Sequence, residues 1–421
     1  MTIWGVLYLE LWQRQAAILS HTWNVSDFER GEQIRPQWRH TDYQTENPIT
    51  KKKEFSDPQI HRMARKFLSS SVIVFCVLLN SAIIGAVIIY HSWALSVSTE
   101  VFATVTSSLI SLFFILLLSS WFERLAKVLT DFDNYRTESG YQDALILKNF
   151  LLAVVNSFAS LFYIGIVKAI MSVVDGDNLI IGIYKDNCQS FLGTQSCMVE
   201  LMLQIVITFV GIIFSNQIKE LILPSLMTAI NRGRAKYRDA GQSGIDEHKP
   251  VFTDEALGFD FISVVIQFGF ISLFSCAFPL APLFALVSNL VELRIDAYKI
   301  LVQYRRPFAS RTQDIGLVLP LMQYISSLGV VTNAIVIAFA SSSFHKNVVS
   351  RFSPNSQLAV RVLFVIVFEH FVAGIKVIVR HFLPSVPRSV RVAVGRRVYR
   401  TALETVGSPE YTENAEDLDR V

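Results

Sequence analysis

Apolar runs long enough to cross a bilayer core of roughly 30 Å, which takes about 20 residues, recur along the chain at 67–92, 100–121, 146–171, 199–223, 259–278, 281–300, 314–341 and 358–384. Charged and polar stretches separate them. Runs of this length predict helical spans, so the pattern describes an all-α polytopic membrane protein with about eight complete transmembrane helices. The opening residues "MTIWGVLYLELW" are apolar but too short to cross, and no charged leader precedes them. They look like the tail of a further span whose beginning is absent. The expected organisation is the end of a truncated transmembrane helix at 1–11, a cytosolic linker at 12–66, a transmembrane domain at 67–384 and a cytosolic tail at 385–421. Within the run 259–300, Pro279 and Pro282 in "FPLAPLF" predict the break between an outward and a returning helix, because proline disrupts a helix interior.

Composition agrees with the pattern: 52% of the residues are hydrophobic and 31 are Phe, with a mean hydropathy of +0.41. A soluble core needs less. Orientation follows from Lys and Arg, which gather in cytoplasmic loops. The clusters "KKKEF" (51–55), "RMARK" (62–66), "NRGRAKYR" (231–238), "YRRPFASR" (304–311) and "RSVRVAVGRRVYR" (388–400) all fall on one side of eight alternating spans. That side is expected to be the cytosol, with both termini inside. Of four cysteines, Cys188 and Cys197 lie in the loop 172–198, which this topology places outside, where an oxidising environment permits a disulfide. The alternative is two free thiols. The sequon at Asn24 falls on the cytosolic side and is expected to carry no sugar.

Acids inside apolar runs are costly and belong to ion paths, binding sites or charge pairs. Asn216 and Glu220 stand four apart on one helical face, as do Glu292 and Asp296 in "PLFALVSNLVELRIDAYKI", and Asp260 opens the span between them. The topology brings all three helices' oxygens to a similar depth near the cytosolic side. The set has carboxylate and amide oxygen without His or Cys, which suits Ca²⁺ or Mg²⁺ rather than zinc or copper. Without a counter-charge the four carboxylates repel one another. The competing reading pairs each acid with a neighbouring base such as Lys219, Arg294 or Lys299.

Two spans carry polar stripes. Asn149, Ala153, Asn156, Ser160 and Tyr163 recur at helical spacing, and Thr104, Ser107, Ser108 and Ser111 do so on the preceding span. Such stripes face protein or a wet furrow; interhelical hydrogen bonding and solvent contact are both open. Lys168 and Lys185 near the outer side attract anions or lipid phosphates, or are snorkelling and solvated. Enzyme constellations are missing: there is no Gly-rich phosphate loop and no metal-type Cys/His spacing among the eight His, and "GQSGID" (241–246) lacks a nucleophile-elbow context. Basic runs beside the spans suit anionic lipid better than nucleic acid.

"QFGFISLFSCAFPLAPLFALVSNLVELRIDAYK" (267–299), "DFDNYRTESGYQDALILKNFLLAVVNSFASLFYI" (131–164) and "RVLFVIVFEH" (361–370) resemble the anoctamin family, membrane proteins that act as calcium-activated chloride channels or phospholipid scramblases. The resemblance implies an anoctamin-like fold and no enzyme activity, with Asn216, Glu220, Asp260, Glu292 and Asp296 as Ca²⁺ ligands. It also implies a groove for anions or lipid headgroups lined by Thr104, Ser107, Ser111, Asn149, Asn156, Ser160 and Tyr163. Ser263 stands where the family carries a further acid, which predicts a weakened calcium site. Gly211 stands one residue beyond the family's glycine hinge, whose aligned position holds Val210. Close helix packing is the other use of such a glycine. The family further implies a homodimer in contact with membrane lipids, at the plasma membrane or an endomembrane. A divalent-cation carrier and a nonconducting tether or scaffold remain as alternatives.

Overall fold

The computed structural model describes residues 2–26, 28–39, 57–174, 197–238, 254–305 and 311–406, together with parts of 44–55 and 180–195. The stretch 241–246 and the acidic tail beyond 406 lie outside the described residues. Twelve helices make up nearly all of the described structure: α1 (Thr2–Thr22), α2 (Gln59–Val97), α3 (Glu100–Asp133), α4 (Glu138–Phe162), α5 (Ala169–Val174), α6 (Cys197–Arg238), α7 (Asp254–Leu273), α8 (Ala281–Tyr298), α9 (Val318–Ile335), α10 (Ser342–Asn347), α11 (Gln357–Phe382) and α12 (Arg388–Val406). Short antiparallel hairpins fall in the loops, for example Gln44–Glu46 with Lys53–Phe55. Every apolar run read from the sequence lies largely on a helix, although 259–278 outruns α7 and 314–341 begins before α9. Six of these helical stretches are long and apolar enough to cross a membrane: Gln59–Val97, Glu100–Asp133, Glu138–Val174, Cys197–Met227, Val318–Ala340 and Pro354–Phe382. α7 adds a shorter apolar stretch, Leu257–Leu273, and α8 carries the charges described below. The chain is an all-α polytopic membrane protein.

Most helices outrun their apolar cores, because hydropathy marks only the part that suits lipid while the helix continues to a stop signal. Pro58 precedes α2, Thr99 precedes α3, and Asn134 ends α3 in the left-handed conformation at φ 56°. Asparagine tolerates that conformation better than most residues. Thr137 then caps α4 by accepting a hydrogen bond from the Gly140 amide.

α7 is the centre of the bundle. Beyond Asp260, Ser263 and Gln267 it is mostly apolar, as a helix with protein on most sides should be, and its Phe270 ring packs at a tilt against Phe158 of α4 at 4.8 Å and Phe209 of α6 at 5.0 Å between centroids. α7 stops at Leu273, short of Pro279, so the break begins earlier than the prolines predict. The cause lies on α9. Asn333 Nδ2 donates to the Ser272 carbonyl (2.7 Å), Thr332 Oγ1 donates to the Leu273 carbonyl (2.8 Å), and Asn333 Oδ1 accepts from the Cys276 amide (3.0 Å) and the Ser275 hydroxyl (3.0 Å). A non-helical turn deep in a membrane protein needs such partners. Gly329 makes the approach possible, since a Cβ there would stand 2.8 Å from the Ser272 carbonyl oxygen.

The α3–α4 hairpin is fixed by charge. Lys148 Nζ lies 2.5 Å from Asp133 Oδ2, with both side chains almost fully buried. The segment before α2 docks on the same hairpin: Arg35 Nε bonds Glu138 Oε2 at 2.7 Å and its guanidinium lies 3.7 Å above the Tyr141 ring, while Glu32 accepts from the Ser139 amide at 2.9 Å. At the opposite end of the bundle, Cys188 is disulfide-bonded to Cys197, the first residue of α6. α1 joins the bundle through Arg380 Nε of α11, 2.8 Å from the buried Glu10 carboxylate.

Two outcomes are expected in thermal or denaturant unfolding of the purified chain in detergent. Asn333→Ala leaves two or more buried backbone groups unpaired and costs about 1–3 kcal/mol for each. Lys148→Met strands a buried carboxylate and costs about 3–5 kcal/mol, most of which returns when Asp133→Leu is added.

Candidate cation site and polar cavity

α6, α7 and α8 meet near the end of the bundle that carries the α3–α4 hairpin. On α8 the α-helix gives way at Lys299 to a π-helical turn, Lys299–Gln303. Its i→i+5 bonding holds an extra residue per turn. Lys299 and Gln303 both reach α6 from this turn: Gln303 Nε2 donates to the Leu221 carbonyl (3.3 Å) and to Ser225 Oγ (2.8 Å). The Lys299 ammonium lies 3.0 Å from Asp260 Oδ2, 3.1 Å from Asp296 Oδ1 and 3.6 Å from Glu220 Oε2. Its side chain is 6% exposed. The acids of three helices thus gather round a cation that belongs to the chain. Of the other bases weighed as partners, Lys219 donates to Ser120 of α3 at 3.3 Å and Arg294 is exposed.

Glu292 stands apart from that ammonium. It lines a small cavity between the three helices together with Asn216, Gln217, Glu220, Ser263 and Ser288. Asn216 Nδ2 points at Ser263 Oγ, 3.5 Å away. Glu220 therefore belongs to both halves of the cluster. The donors are hard oxygens, which fit Ca²⁺ in chemistry, and Asp296 Oδ1 is a buried oxygen without a hydrogen-bond partner, its contact with Lys299 being one of charge alone. In geometry the carboxylates are drawn around the ammonium. Among the described residues, no three His, Cys, Asp or Glu side chains are grouped as a metal-holding cluster.

A second cavity lies among α2, α3, α4 and α6. Thr104, Ser107 and Ser111 of α3 line it with Ser160, Tyr163, His91, Glu200 and Gln204. Asn149 and Asn156 are buried elsewhere on α4; Asn156 Nδ2 donates to the Ile115 carbonyl of α3 at 2.9 Å. The polar stripe of α4 thus divides between cavity and interhelical bonding. Lys168, at the end of a π-helical turn that follows α4, is fully buried, with Nζ 2.7 Å from Glu200 Oε2. It neither snorkels nor stands in solvent, and its charge is committed to a carboxylate. His91 Nε2 lies 3.8 Å from the other Glu200 oxygen. Glu200, Gln204 and His91 were not singled out from the sequence; the signal available was an acid near the start of an apolar run. Lys185 has no described side chain.

Gly211 lies in the unbroken helix of α6, and a Cβ there would run into the Leu112 side chain of α3. α3 and α6 approach closely at this point, beside the polar cavity.

The family described as "Anoctamin: Calcium-activated chloride channel" matches residues 1–397. The chain is 31% identical to Anoctamin-7 of Mus musculus over 95% of its own length and 53% of that protein. It is 32% identical to Anoctamin-7 of Homo sapiens, over 95% of the chain and 49% of that protein. For Anoctamin-3 of Mus musculus the identity is 30%, over 95% and 48%. The chain spans about half the length of the curated relatives it matches. A family match over nearly the whole chain, on a bundle of lipid-length helices, makes this protein a member of the anoctamin family.

Proposed function

We propose that the chain moves anions or phospholipid headgroups passively along the α3–α4–α6 face, and that Ca²⁺ held by Asn216, Glu220, Asp260, Glu292 and Asp296 regulates the movement. The observation that carries this reading is that α6 is shared. Its middle supplies Asn216 and Glu220 to the acid cluster, and its first turns supply Glu200 and Gln204 to the polar cavity. Ca²⁺, when bound, supplies two positive charges that relieve the repulsion among the acids. The chain's residues do the rest. Asn216 and Glu220 tie α6 to α7 and α8, and any displacement of α6 is felt by Thr104, Ser107, Ser111, Ser160 and Tyr163 across the cavity. Gly211, lacking a Cβ, serves as the point at which α6 slides or bends against Leu112. A regulator works only through a difference in affinity between the two arrangements. Passive movement needs no reacting group, so the polar cavity is a path rather than a catalytic centre.

On this reading residues 67–384 form the transmembrane domain, 12–66 a cytosolic linker and 385–421 a cytosolic tail, with the acid cluster toward the cytosol. A second copy would pair with the first along α11, whose Leu363, Val367 and Phe371 are exposed beside Glu369. Plasma membrane and endomembrane are equally compatible with this arrangement.

The test is fluorescent-lipid scrambling and chloride efflux from the same vesicles reconstituted with the full chain. Ca²⁺ should stimulate one or both, and the double variant Glu292→Gln, Asp296→Asn should lose the stimulation. Uptake of Ca²⁺ itself would mark a cation carrier instead, and flux of nothing at any Ca²⁺ level would leave a tether. Ser263→Glu, which restores the acid that the family resemblance leads one to expect, should lower the Ca²⁺ concentration for half-maximal flux by about tenfold, as a fifth close carboxylate strengthens a hard-cation site.

A further inference from the structure

We infer that Lys299 is a built-in competitor of the divalent cation: its tethered ammonium fills part of the acid cluster in the resting state and must withdraw when Glu220, Asp260 and Asp296 close on an ion. The inference rests on the calcium reading above and concerns how that site is regulated. Three carboxylates from three helices lie within 3.0–3.6 Å of one Nζ atom. That is the arrangement expected around a small cation. The fourth acid, Glu292, is outside this shell and faces the neighbouring cavity with Asn216 and Ser263. The chain therefore supplies one positive charge to the cluster and leaves the side that Glu292 faces open. One ammonium among four carboxylates leaves three formal negative charges uncompensated, enough to draw in a divalent ion but with a positive charge already at the shared carboxylate, Glu220.

The chemistry of lysine suits the role. Its ammonium is a compact charge on a flexible four-carbon stem, and it regains strong hydration on release. An arginine fork would be bulkier and bind a carboxylate pair more rigidly. The π-helical turn that starts at Lys299 places the stem against α6, so withdrawal of the ammonium frees Glu220 at the same moment as Asp260 and Asp296. Lys299 thereby lowers the affinity for divalent cation while holding α6, α7 and α8 together in its absence.

The experiment uses the purified full chain in detergent and CaCl₂ as the probe, with binding followed by calorimetry and unfolding followed in EGTA and in saturating Ca²⁺. Lys299→Gln should bind Ca²⁺ about tenfold more tightly than the parent or better, because a close positive charge is removed. It should unfold at a lower temperature than the parent in EGTA, with the gap narrowed by Ca²⁺. Lys299→Arg should keep the weak affinity. In the parent, acylation of Lys299 by an amine reagent, read by mass spectrometry, should rise when Ca²⁺ is added; this measurement stands even where the Gln variant does not fold. Equal or weaker binding by Lys299→Gln overturns the inference and leaves the calcium reading intact. Binding by Lys299→Gln but not by the parent supports the inference and removes calcium regulation from the natural chain. No binding by either, or calcium binding without a rise in labelling, also overturns it.

Discussion

A bilayer interior supplies no water to a polar group, so every amide, carbonyl and charge placed there has to be answered from within the chain. The architecture follows from that constraint. Long helices satisfy their own backbones, and wherever a helix breaks or a charge intrudes, another helix supplies the partner. Asn333 and Thr332 answer the end of α7. Lys148 answers Asp133, and Lys168 answers Glu200. Lys299 answers three acids at once. These contacts tie one helix to another, from the adjacent pair α3 and α4 to α7 and α9, and together they set which helices are neighbours.

The same contacts divide by their place in the molecule. Lys148–Asp133 and the Asn333 network involve residues outside both cavities and hold α3 to α4 and α7 to α9. Lys168–Glu200 and the Lys299 cluster border the two cavities instead, and α6 takes part in both. A buried ion pair contributes little net stability compared with a well-packed apolar pair. What it does supply is a dependence on its partner, so that moving either charge has a consequence elsewhere. That property suits the walls of a path and the seat of a regulator better than it suits a core.

The spans were legible because twenty consecutive apolar residues have one common solution in lipid, and the three acid-bearing helices were legible because residues four apart share a helical face. What the sequence could not display was choice among partners. Lys219, Arg294 and Lys299 all stand within three residues of an acid along the chain. A π-helical turn selected Lys299, and nothing local in "YKILVQ" announces that turn. Pro279 marked the reversal after α7, but Asn333, 61 residues beyond the Ser272 carbonyl that it binds, set its start. Lys168 looked like a lysine at a membrane edge until the fold brought Glu200 against it. Polar residues at helical spacing could serve a cavity or a neighbouring helix, and α4 does both with one stripe: Ser160 and Tyr163 reach the cavity, whereas Asn156 bonds to α3.

The disulfide at the head of α6 has a mechanical meaning. α6 runs without a break from Cys197 to Arg238, roughly 60 Å at the usual helical rise, and Cys197 is tethered to Cys188 at its first residue. A rod pinned at one end pivots there, so displacement grows with distance from the pin. Residues near Glu200 would then turn almost in place while those around Glu220 sweep through a longer arc. Gearing of this kind sets the acid cluster farther out along the arm than the polar cavity, so that, on the proposed reading, a wide movement at the acids becomes a small, forceful one at the cavity.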